Sequence, residues 1–403
     1  MLSFDEAQAV FAMCAEPVPE TETVWLGLLT GRVLARDLAA VIDTPAADRS
    51  AMDGYAVRSE DCRGDACLPL QQVVYAGMRA QPLLPGHAIR IYTGGVIPPG
   101  ADAVVALEDA LETYRGVTCA RAPVAGQHIR RKGEDARRAD LLLSAGTLLQ
   151  AGHIAALASQ GLAQVPVCRL VEVAILTSGD EVAAHDEPRD VYQVHDVNGP
   201  MLESLVQEMG AVVCCHRHVQ DDERALHDML RELASDADLV LVAGGASVGQ
   251  RDLAVAALAS AGGELLCRGV NMKPGKPVTV GRLRGKPVVC LPGNPAAAYA
   301  TFALLVTPLL RRLQGRAELF PPVSLVRAAL AGARTQSCDA FWRVGEVSNP
   351  GGREGIVQVN AQQGAASVSA LGQASGFVRV GPQSAGQLHN VPLPYYDLHR
   401  WLS

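Results

Sequence analysis

The sequence has few aromatic residues and no excess of positive charge. Phe, Trp and Tyr make up 4% of the chain, whereas hydrophobic residues of all kinds make up 49%. A core of Ala, Val and Leu suits packed α/β layers better than an aromatic-rich β-sandwich. The formal net charge of −7 disfavours a general nucleic-acid binder, because such proteins usually carry a basic field. A phosphorylated substrate stays open, since it needs only a local cluster of cations.

Signals for membranes, secretion and common nucleotide sites are missing as well. No segment is expected to reach the length of a membrane span, and the start MLSFDEAQAVF is acidic and amphipathic, unlike a signal peptide. The ten cysteines form no CxxC pair, and we expect reduced thiols in a cytoplasmic protein. Neither GxGxxG nor GxxxxGK[ST] occurs, which excludes an NAD fingerprint and a Walker loop.

The length of 403 residues predicts several domains, because it exceeds one ordinary core. Residues 24–145 consist of short β-type runs broken by turns. From residue 171 apolar strands alternate with helical segments, and after residue 315 short strands with Gly-rich turns return. We therefore predict a β-rich unit, an α/β unit and a small C-terminal β unit.

Four apolar strands carry the prediction of the α/β unit: VEVAILTSGDEV, GAVVCCHRHV, ADLVLVAGGASVG and KPVVCLPGN. The helical segments between and after them are predicted at residues 199–209, 222–234, 252–261 and 295–313. This alternation favours a parallel sheet with helices on both faces. Right-handed crossovers place the carboxyl ends of the strands along one edge, where open α/β sheets bind their ligands.

Polar or Gly-rich loops fall at four points of this edge. Glycines let a backbone approach a phosphate, and helix N-termini supply N–H donors with partial positive charge. One such loop alone is more often an ordinary turn, but four in one sheet favour an anion site. A lysine loop, NMKPGKPVTVG, is one of the four. Candidate residues of the other three are Ser178, Gly179, Asp180 and Glu181, then Gly244, Gly245, Ser247 and Gly249, and then Pro292, Gly293, Asn294 and Pro295.

The lysine loop holds Lys273 and Lys276 three residues apart, and Pro274 stiffens it. If they occurred alone, we would interpret them as solvated lysines beside a turn. Next to Gly-rich loops that could bind phosphate, they favour anion binding.

Carboxylates recur near the same loops and in the β-rich unit. Acidic groups among such cations suit a bridging Mg²⁺, with ordinary surface charge as the alternative. The carboxylates concerned include Asp180, Glu181, Asp252, Asp53 and Asp135.

Two further polar clusters are less specific. Residues 214–218, CCHRH, lack ordinary zinc spacing, so we predict no zinc site there. Arg130, Arg131 and Lys132 fit either a solvated turn or a second anion clamp.

Taken in order, eight motifs resemble those of the molybdopterin molybdotransferase family, which includes bacterial MoeA and the E domain of gephyrin. The motifs are RSAMDGYAVR, YTGGVIPPGADAVV, IRRKGED, TSGDEV, DVNGPML, GGASVGQRD, MKPGKP and LPGNPAAA. The resemblance implies a multidomain α/β plus β protein whose doubly wound α/β domain binds molybdopterin. It implies a linker domain of residues 19–38 and 141–171, a β-rich domain of 39–140, an α/β domain of 1–18 and 172–319, and a C-terminal β-barrel domain of 320–403.

The resemblance also implies an activity and an assembly. The family inserts molybdenum from molybdate into adenylylated molybdopterin, with Mg²⁺-dependent release of AMP. An elongated homodimer is implied, with a cleft between the α/β domain of one subunit and the β-rich domain of its partner. A molybdopterin adenylyltransferase is the expected source of the pterin substrate, and neither nucleic acid nor a membrane is expected as a partner.

Functional residues follow from the matching motifs. The resemblance assigns Glu181 and Asp252 to Mg²⁺ and pterin-phosphate handling, and Lys273 and Lys276 to offsetting oxyanion charge. The partner's side of the cleft is assigned Asp53, Thr93 and Asp135, and Arg343 matches a basic position in the last domain.

Two departures from the family pattern involve hydroxyl groups. Ala297 stands where the family usually has Ser after Pro-Gly-Asn-Pro, and Gly364-Ala365-Ala366 replaces a Gly-Ser-His-like stretch. These losses favour one alternative to the active insertase, a non-catalytic or weakly active binding or scaffold protein of the same fold. An insertase that prefers tungstate is a further alternative, because molybdate and tungstate are nearly the same in size and charge.

Overall fold

A computed structural model describes residues 1–184, 188–244, 253–329, 337–348, 355–360, 362–364, 366–382 and 389–403. The predicted site residues Gly245, Ser247, Gly249 and Asp252 lie outside these ranges, as does Ala365.

Helices and strands fall into the three regions that the sequence pattern predicts: a β-rich, an alternating α/β and a C-terminal β region. Residues 1–171 hold α1 (Phe4–Met13), β1 (Thr21–Trp25), β2 (Leu38–Ala39), β3 (Arg49–Ser50), β4 (Gly54–Val57), β5 (Cys67–Leu68), β6 (Leu70–Val74), β7 (Ala88–Ile91), β8 (Ala103–Ala106), β9 (Ala110–Thr113), β10 (Gly116–Cys119), β11 (Ile129–Arg130), β12 (Leu141–Leu143), α2 (Ala151–Ser159) and β13 (Gln164–Cys168).

The alternating part follows. It holds β14 (Glu172–Ser178), β15 (Val182–Ala183), β16 (Val194–His195), α3 (Asn198–Glu208), β17 (Val212–Val219), α4 (Glu223–Asp236), β18 (Leu239–Ala243), α5 (Leu253–Ser260), β19 (Glu264–Arg268), β20 (Met272–Lys273), β21 (Thr279–Leu283), β22 (Lys286–Leu291), α6 (Pro295–Thr301), a π-helical turn (Phe302–Val306) and α7 (Thr307–Leu313). The last part holds β23 (Ser324–Ala329), β24 (Asp339–Ser348), β25 (Gly355–Val359), β26 (Gly376–Val380), β27 (His389–Asp397) and α8 (Leu398–Trp401).

The central sheet of the alternating part has the strand order β17-β14-β18-β22-β21-β19. The strands β17, β14, β18 and β22 run parallel, as predicted. The sheet is not parallel throughout, however, because β21 and β19 pair antiparallel at its edge. Arg284 and Gly285 have φ values of 52° and 80°, which suit a two-residue hairpin turn between β21 and β22. The sequence predicts a loop at the β21 segment, and the structure corrects this to one arm of a hairpin.

Alternate residues of the parallel strands pack on opposite faces of the sheet. On β14, Val173 and Ile175 join one core with α1, α3, α6 and α7, whereas Ala174 and Leu176 join another core with α4 and α5. Strands buried on both faces explain why the sequence shows short continuous apolar runs without alternation. The predicted helices are confirmed to within about two residues.

The helical run Pro295–Leu313 corrects one expectation from the sequence. It has 19 residues and a mean hydropathy of 1.2, so it reaches the length and apolar character of a membrane span. However, 89% of this stretch is buried inside the fold, and it packs against α1. The stretch is therefore a core helix of this fold.

The C-terminal strands form a closed barrel. Within the described residues, β24, β25, β23, β27 and β26 pair in that order, and β26 pairs back with β24. The short strand β20, which contains Lys273, joins this barrel by pairing with β24. Phe341, Phe377 and Tyr396 share the core that α1 enters, and the rings of Phe4 and Phe341 lie 4.6 Å apart. The barrel thus packs on the α/β layer and fixes the lysine loop between them.

The β-rich and linker regions contain smaller sheets. A four-stranded sheet has the order β6-β7-β4-β8, a three-stranded sheet the order β5-β10-β9, and β3 pairs with β11. The linker strands pair as β1 with β13 and β12 with β2, across more than a hundred residues of chain. This pairing explains how two distant stretches form one small region.

Arg379 joins the barrel to the first helix. Its guanidinium group binds Asp5 at 2.6 and 2.9 Å and the buried Asp339 at 3.0 and 2.9 Å, and it lies 5.0 Å from the ring centre of Phe4. Burial opposes the charge of Arg379, but the two carboxylates raise its pKa above the ordinary value.

We predict that Arg379→Gln lowers the free energy of unfolding by about 3–5 kcal/mol, because it leaves the Asp339 carboxylate buried without its cation. The matched control is Arg312→Gln, which breaks an ion pair with the exposed Glu16 and should cost less than about 1 kcal/mol. Urea unfolding of the wild type and both variants measures the difference. Equal losses in the two variants would contradict a special role for Arg379.

Candidate functional site

The carboxyl ends of β14, β18 and β22 approach each other closely. A Cβ atom added to Gly244 would lie 2.2 Å from the backbone oxygen of Ser178, and Gly244 has a φ of 111°. A Cβ on Gly293 would lie 3.7 Å from the Cα of Gly244. Three of the predicted loops therefore meet at one edge of the sheet, and only glycine fits the position of Gly244.

One cavity, which we call the carboxylate cavity, opens beside these strand ends and has a volume of about 540 Å³. Glu181 and Asn294 line it. The Ser178 hydroxyl and the Asn198 side-chain oxygen are buried there and have no hydrogen-bond partner among the described residues. Unpaired buried polar atoms are costly, so two on one wall indicate a polar ligand. Its other described lining residues include Gly179, His195, Asp196, Asp221, Gly244, Gly293 and Pro295.

Two backbone N–H groups hold the loop that contains Asp180 and Glu181. Its carboxylate accepts a hydrogen bond of 3.0 Å from the backbone N–H of Asp221, and the Glu181 carbonyl accepts one from Val194. At Gly179, with a φ of 148°, an added Cβ would lie 2.9 Å from the Glu181 carboxylate. The glycine thus lets the Glu181 side chain fold back over its own turn.

A second cavity, which we call the lysine cavity, has a volume of about 560 Å³ and lies between the lysine loop and the barrel. Lys273, Lys276, Pro292, Ala297 and Trp342 are among the residues that line it. Both lysines are exposed, whereas the loop between them is fixed, since an added Cβ on Gly275 would meet Thr301 at 2.3 Å. The lysines on this wall suit an oxyanion, and the Trp342 side chain suits a planar group next to it.

The two cavities meet at Gly293 and Asn294, which line both. The side-chain amide of Asn198 donates a 2.8 Å hydrogen bond to the Gly293 carbonyl and ties the turn to α3. The sequence predicted one site at this edge, and the structure shows two adjoining cavities with the turn between them. One ligand that carries both a phosphate and a second anionic group could span both.

A polar network behind the carboxylate cavity was not predicted. His216 lies between Asp196 at 3.4 Å and Glu203 at 2.9 Å, and the Thr177 hydroxyl donates to Asp196 at 3.1 Å. The hydrogen bond with Asp196 raises the pKa of His216 above its ordinary value. Burial raises the pKa of Asp196, but hydrogen bonds from His216, Gly199 and Thr177 outweigh it and lower the net pKa.

The β-rich region holds the rest of the predicted site. Asp53 accepts hydrogen bonds of 2.7 Å from both the backbone N–H and the hydroxyl of Thr93, and these bonds lower the pKa of Asp53. Asp135 is exposed, and its backbone N–H donates to Thr44. Asp53 and Thr93 therefore belong together, and neither is among the described residues that line the carboxylate cavity.

The basic run beside Asp135 is already paired. Arg130 binds Glu134 at 2.6 Å, Arg131 binds Asp48 at 2.7 Å, and Lys132 lies 3.2 Å from Asp43. This arrangement favours the solvated turn over the second anion clamp.

Arg343 lies inside the barrel, 1% exposed. It donates to the backbone oxygens of Gln362 at 2.6 Å and Gly364 at 3.1 Å, and burial lowers its pKa. Gln363, which lies between these two residues, lines the lysine cavity. Arg343 thus supports a wall of that cavity, and its contact with a substrate stays a prediction.

The structure allows a test of whether the donors present suit Mg²⁺. No group of three or more His, Cys, Asp or Glu side chains that could hold a metal ion occurs among the residues that the structure describes. Mg²⁺ usually takes one or two carboxylates and completes its shell with water and substrate phosphates. The Glu181 carboxylate beside the unpaired Ser178 hydroxyl offers this hard oxygen chemistry. The proposed second ligand, Asp252, lies outside the described ranges.

Three residues that line the carboxylate cavity are not among the predicted site residues: Asp196, Asn198 and Asp221. The first two lie in the quoted motif DVNGPML, and Asp221 follows the strand β17. A carboxylate just after a parallel strand is the signal that could have found Asp221.

The His216 network generates a prediction about pH. Since the folded-state pKa of His216 is raised, its stabilising effect is complete below the unfolded pKa of about 6.5 and is lost as pH rises through the folded value. The lowered pKa of Asp196 acts only at acidic pH. We expect His216→Gln to lower the free energy of unfolding more at about pH 6 than at about pH 8. His399→Gln, at an exposed position on α8, is the control; a His216→Gln effect that is constant with pH would contradict the account.

Comparisons with known proteins agree with this architecture. The MoeA N-terminal region (domain I and II) family matches residues 2–161, and the probable molybdopterin binding domain family matches residues 174–312. The chain is 39% identical over 313 residues to a molybdopterin molybdenumtransferase of Nostoc sp., covering 75% of this chain and 72% of that protein. A molybdopterin molybdenumtransferase of Haemophilus influenzae is 35% identical over 327 residues, covering 80% of each.

Solved structures extend the likeness to almost the whole chain. The molybdopterin biosynthesis MoeA protein from Pyrococcus horikoshii superposes with a TM-score of 0.80 and 28% identity, and the match covers 99% of both chains. Another solved structure, of a molybdopterin biosynthesis MoeA protein from Pyrococcus horikoshii OT3, gives a TM-score of 0.84 at 25% identity over 98% of this chain and 99% of that one. These family models, relatives and solved structures show that the chain belongs to the MoeA family of molybdopterin molybdenumtransferases, enzymes of molybdenum cofactor biosynthesis.

Proposed function

We propose that this chain inserts molybdenum from molybdate into adenylylated molybdopterin and releases AMP in a Mg²⁺-dependent reaction. The observation that carries the proposal is the pair of cavities that meet at Gly293 and Asn294, one with carboxylates and the other with lysines. The substrate carries a phosphoanhydride at one end and a dithiolene, where molybdenum is inserted, at the other. The family relatives named as molybdenumtransferases support the same reaction.

The carboxylate cavity would hold the phosphoanhydride. Glu181 and Asp252 would hold Mg²⁺, and the ion would supply positive charge to offset that of the phosphate groups. The Ser178 hydroxyl, which has no partner among the described residues, would donate to a phosphate oxygen. Asp196, fixed by His216 and Thr177, would keep the wall of the cavity rigid.

The lysine cavity would take the oxyanion. Lys273 and Lys276 are the cations on its wall, and the fixed loop between them keeps their charges near the turn. Preorganised cations lower the energy of an anion without reorganisation at the moment of reaction. Trp342 and the prolines of the same wall offer flat apolar surface for the pterin.

The remaining parts of the proposal concern assembly. Asp53, Thr93 and Asp135 would complete the site from the β-rich domain of a second subunit, in keeping with their absence from the described lining of the carboxylate cavity of their own chain. The enzyme would act as a cytoplasmic homodimer and would receive its pterin from a molybdopterin adenylyltransferase. Mixing a Glu181→Gln subunit with an Asp53→Asn subunit should restore part of the activity that each homodimer lacks.

The direct test measures AMP release from adenylylated molybdopterin with molybdate and Mg²⁺. We expect AMP release to require both, and parallel reactions with tungstate decide the oxyanion preference. A folded dimer that binds the pterin but releases no AMP with either oxyanion would contradict the proposal. It would instead favour a non-catalytic binding protein.

Glu181→Gln should lower the rate of AMP release by on the order of 100-fold, because the amide removes the charge proposed to hold Mg²⁺. Raising the Mg²⁺ concentration should restore part of the rate. The control is Glu264→Gln, an exposed position on β19. A Glu181→Gln variant with the wild-type rate and Mg²⁺ dependence would remove Glu181 from the mechanism.

Ala297→Ser tests the lost hydroxyl. Ala297 is 4% exposed, and it lines the lysine cavity in the first turn of α6, so a hydroxyl there would add one donor to the oxyanion site. We expect the variant to fold and to lower the KM for molybdate severalfold, with Ala259→Ser on the exposed face of α5 as the control. Complete loss of activity would show that Ala297 is needed for packing.

A further inference from the structure

Two cysteines meet inside the β-rich region. The sulfur atoms of Cys62 and Cys119 lie 3.3 Å apart and share a hydrogen bond, although the two residues are 57 positions apart in the chain. Both are free thiols, and Cys62 is 4% exposed whereas Cys119 is 8% exposed. Neither cysteine is among the described residues that line the carboxylate cavity or the lysine cavity. The pair is therefore a cluster of two nucleophilic groups that the proposed reaction does not use.

The pair lies between two sheets. Cys119 is the last residue of β10, in the three-stranded sheet. Cys62 caps the end of a 3₁₀ turn (Ser59–Asp61) that follows β4, a strand of the four-stranded sheet. Val57 of β4 and Val117 of β10 belong to the same buried core as the two cysteines. A covalent bond between the two sulfur atoms would therefore join the two sheets directly.

Hydrogen bonds hold the backbone on both sides of the contact. The backbone N–H and the hydroxyl of Ser59 both donate to the Asp102 carboxylate at 2.7 Å, and the Cys62 N–H donates to the Ser59 carbonyl. On the other side, Cys119 pairs with Ala110 of β9. Since the sulfur atoms are already in contact, rotation of the two side chains can supply the small approach that a disulfide needs.

The contact makes one thiol easier to ionise than the other. The hydrogen bond with Cys62 lowers the pKa of Cys119, and burial opposes this effect. The same hydrogen bond, then burial and nearby negative charges, including Asp61 and Asp102, raise the pKa of Cys62. Because the thiolate is the form that reacts with oxidants, Cys119 is the reactive member and Cys62 is positioned to resolve it. Cys119 is also the more exposed of the two, and the exposed residues 120 and 121 follow it.

We propose that Cys62 and Cys119 are an oxidation site at which a peroxide forms a reversible disulfide that joins the two sheets. The Cys119 thiolate attacks one oxygen of hydrogen peroxide, the O–O bond breaks, and Cys119 becomes a sulfenic acid. The second oxygen leaves as water with the proton that Cys119 lost. The Cys62 sulfur then attacks the Cys119 sulfur, the S–O bond breaks, and the hydroxyl leaves as water with the proton of Cys62.

The two steps balance as two thiols and one hydrogen peroxide giving one disulfide and two waters. Two electrons pass from the sulfur atoms to the peroxide. A dithiol reductant reverses the reaction by thiol–disulfide exchange, so the modification does not consume the site. The adjacent Cys62 also protects Cys119 from irreversible oxidation beyond the sulfenic acid.

Mass spectrometry of the full-length protein tests the site. The native protein is treated with hydrogen peroxide, its remaining thiols are alkylated, and it is digested with trypsin without a reductant. Cleavage after Arg63 separates Cys62 from Cys67, so the expected product is peptide 59–63 joined to peptide 116–121. Dithiothreitol should release the two peptides. Absence of this cross-link, or irreversible oxidation of either thiol in its place, would overturn the proposal.

Two variants separate the pair from the other thiols. Cys67 is exposed on β5 and pairs with Thr118, so its side chain lies on the face of the sheet opposite to Cys119. Cys67→Ser should therefore leave the yield of the cross-link unchanged, whereas Cys62→Ala should abolish it. A cross-link between peptides 64–79 and 116–121 in the wild type would make Cys67 the partner and overturn the proposal.

Hydrogen exchange tests whether the disulfide joins the sheets. A bond between residues 57 positions apart restricts the local opening that lets backbone amides exchange. Amides of β9 and β10 should exchange severalfold more slowly after peroxide treatment, whereas those of α4 should exchange as before. Cys62→Ala should show no change with peroxide. Equal exchange in the reduced and oxidised wild type would contradict the join between the sheets.

Discussion

The close approach of backbones at the ends of β14, β18 and β22 is the constraint on which the site depends. Gly244 passes within van der Waals contact of Ser178, and Gly293 lies next to Gly244. Side chains at these points would push the strand ends apart, and the two cavities would no longer share one turn. The glycines thus bring the carboxylates of one loop and the lysines of another to opposite sides of residues 292–295.

The barrel supplies the second half of the arrangement. The strand β20 carries Lys273 into the barrel by pairing with β24, while Gly275 packs on Thr301 in the core helix. Arg379 fastens the same barrel to α1 through Asp5 and Asp339. The lysine loop is therefore fixed from both sides, which lets two flexible, exposed side chains serve a defined cavity.

The sequence was sufficient to predict the α/β layers, because strands buried on both faces leave short apolar runs that helical segments separate. It was also sufficient to place Ser178, Gly179, Gly244 and Gly293 at one edge, because parallel strands end together. It could not show that the edge holds two cavities, since this depends on the barrel wall at Trp342. Nor could it reveal the His216 network, whose members come together only through tertiary packing.

The central claim is that one substrate spans the turn at Gly293 and Asn294. A crystal structure of the protein with adenylylated molybdopterin and tungstate, an electron-dense analogue of molybdate, tests this most directly. The account predicts the phosphoanhydride beside Glu181, the oxyanion beside Lys273 and Lys276, and the pterin against Trp342 in the same lysine cavity. Phosphate groups and oxyanion together in one cavity, with the other empty, would contradict it.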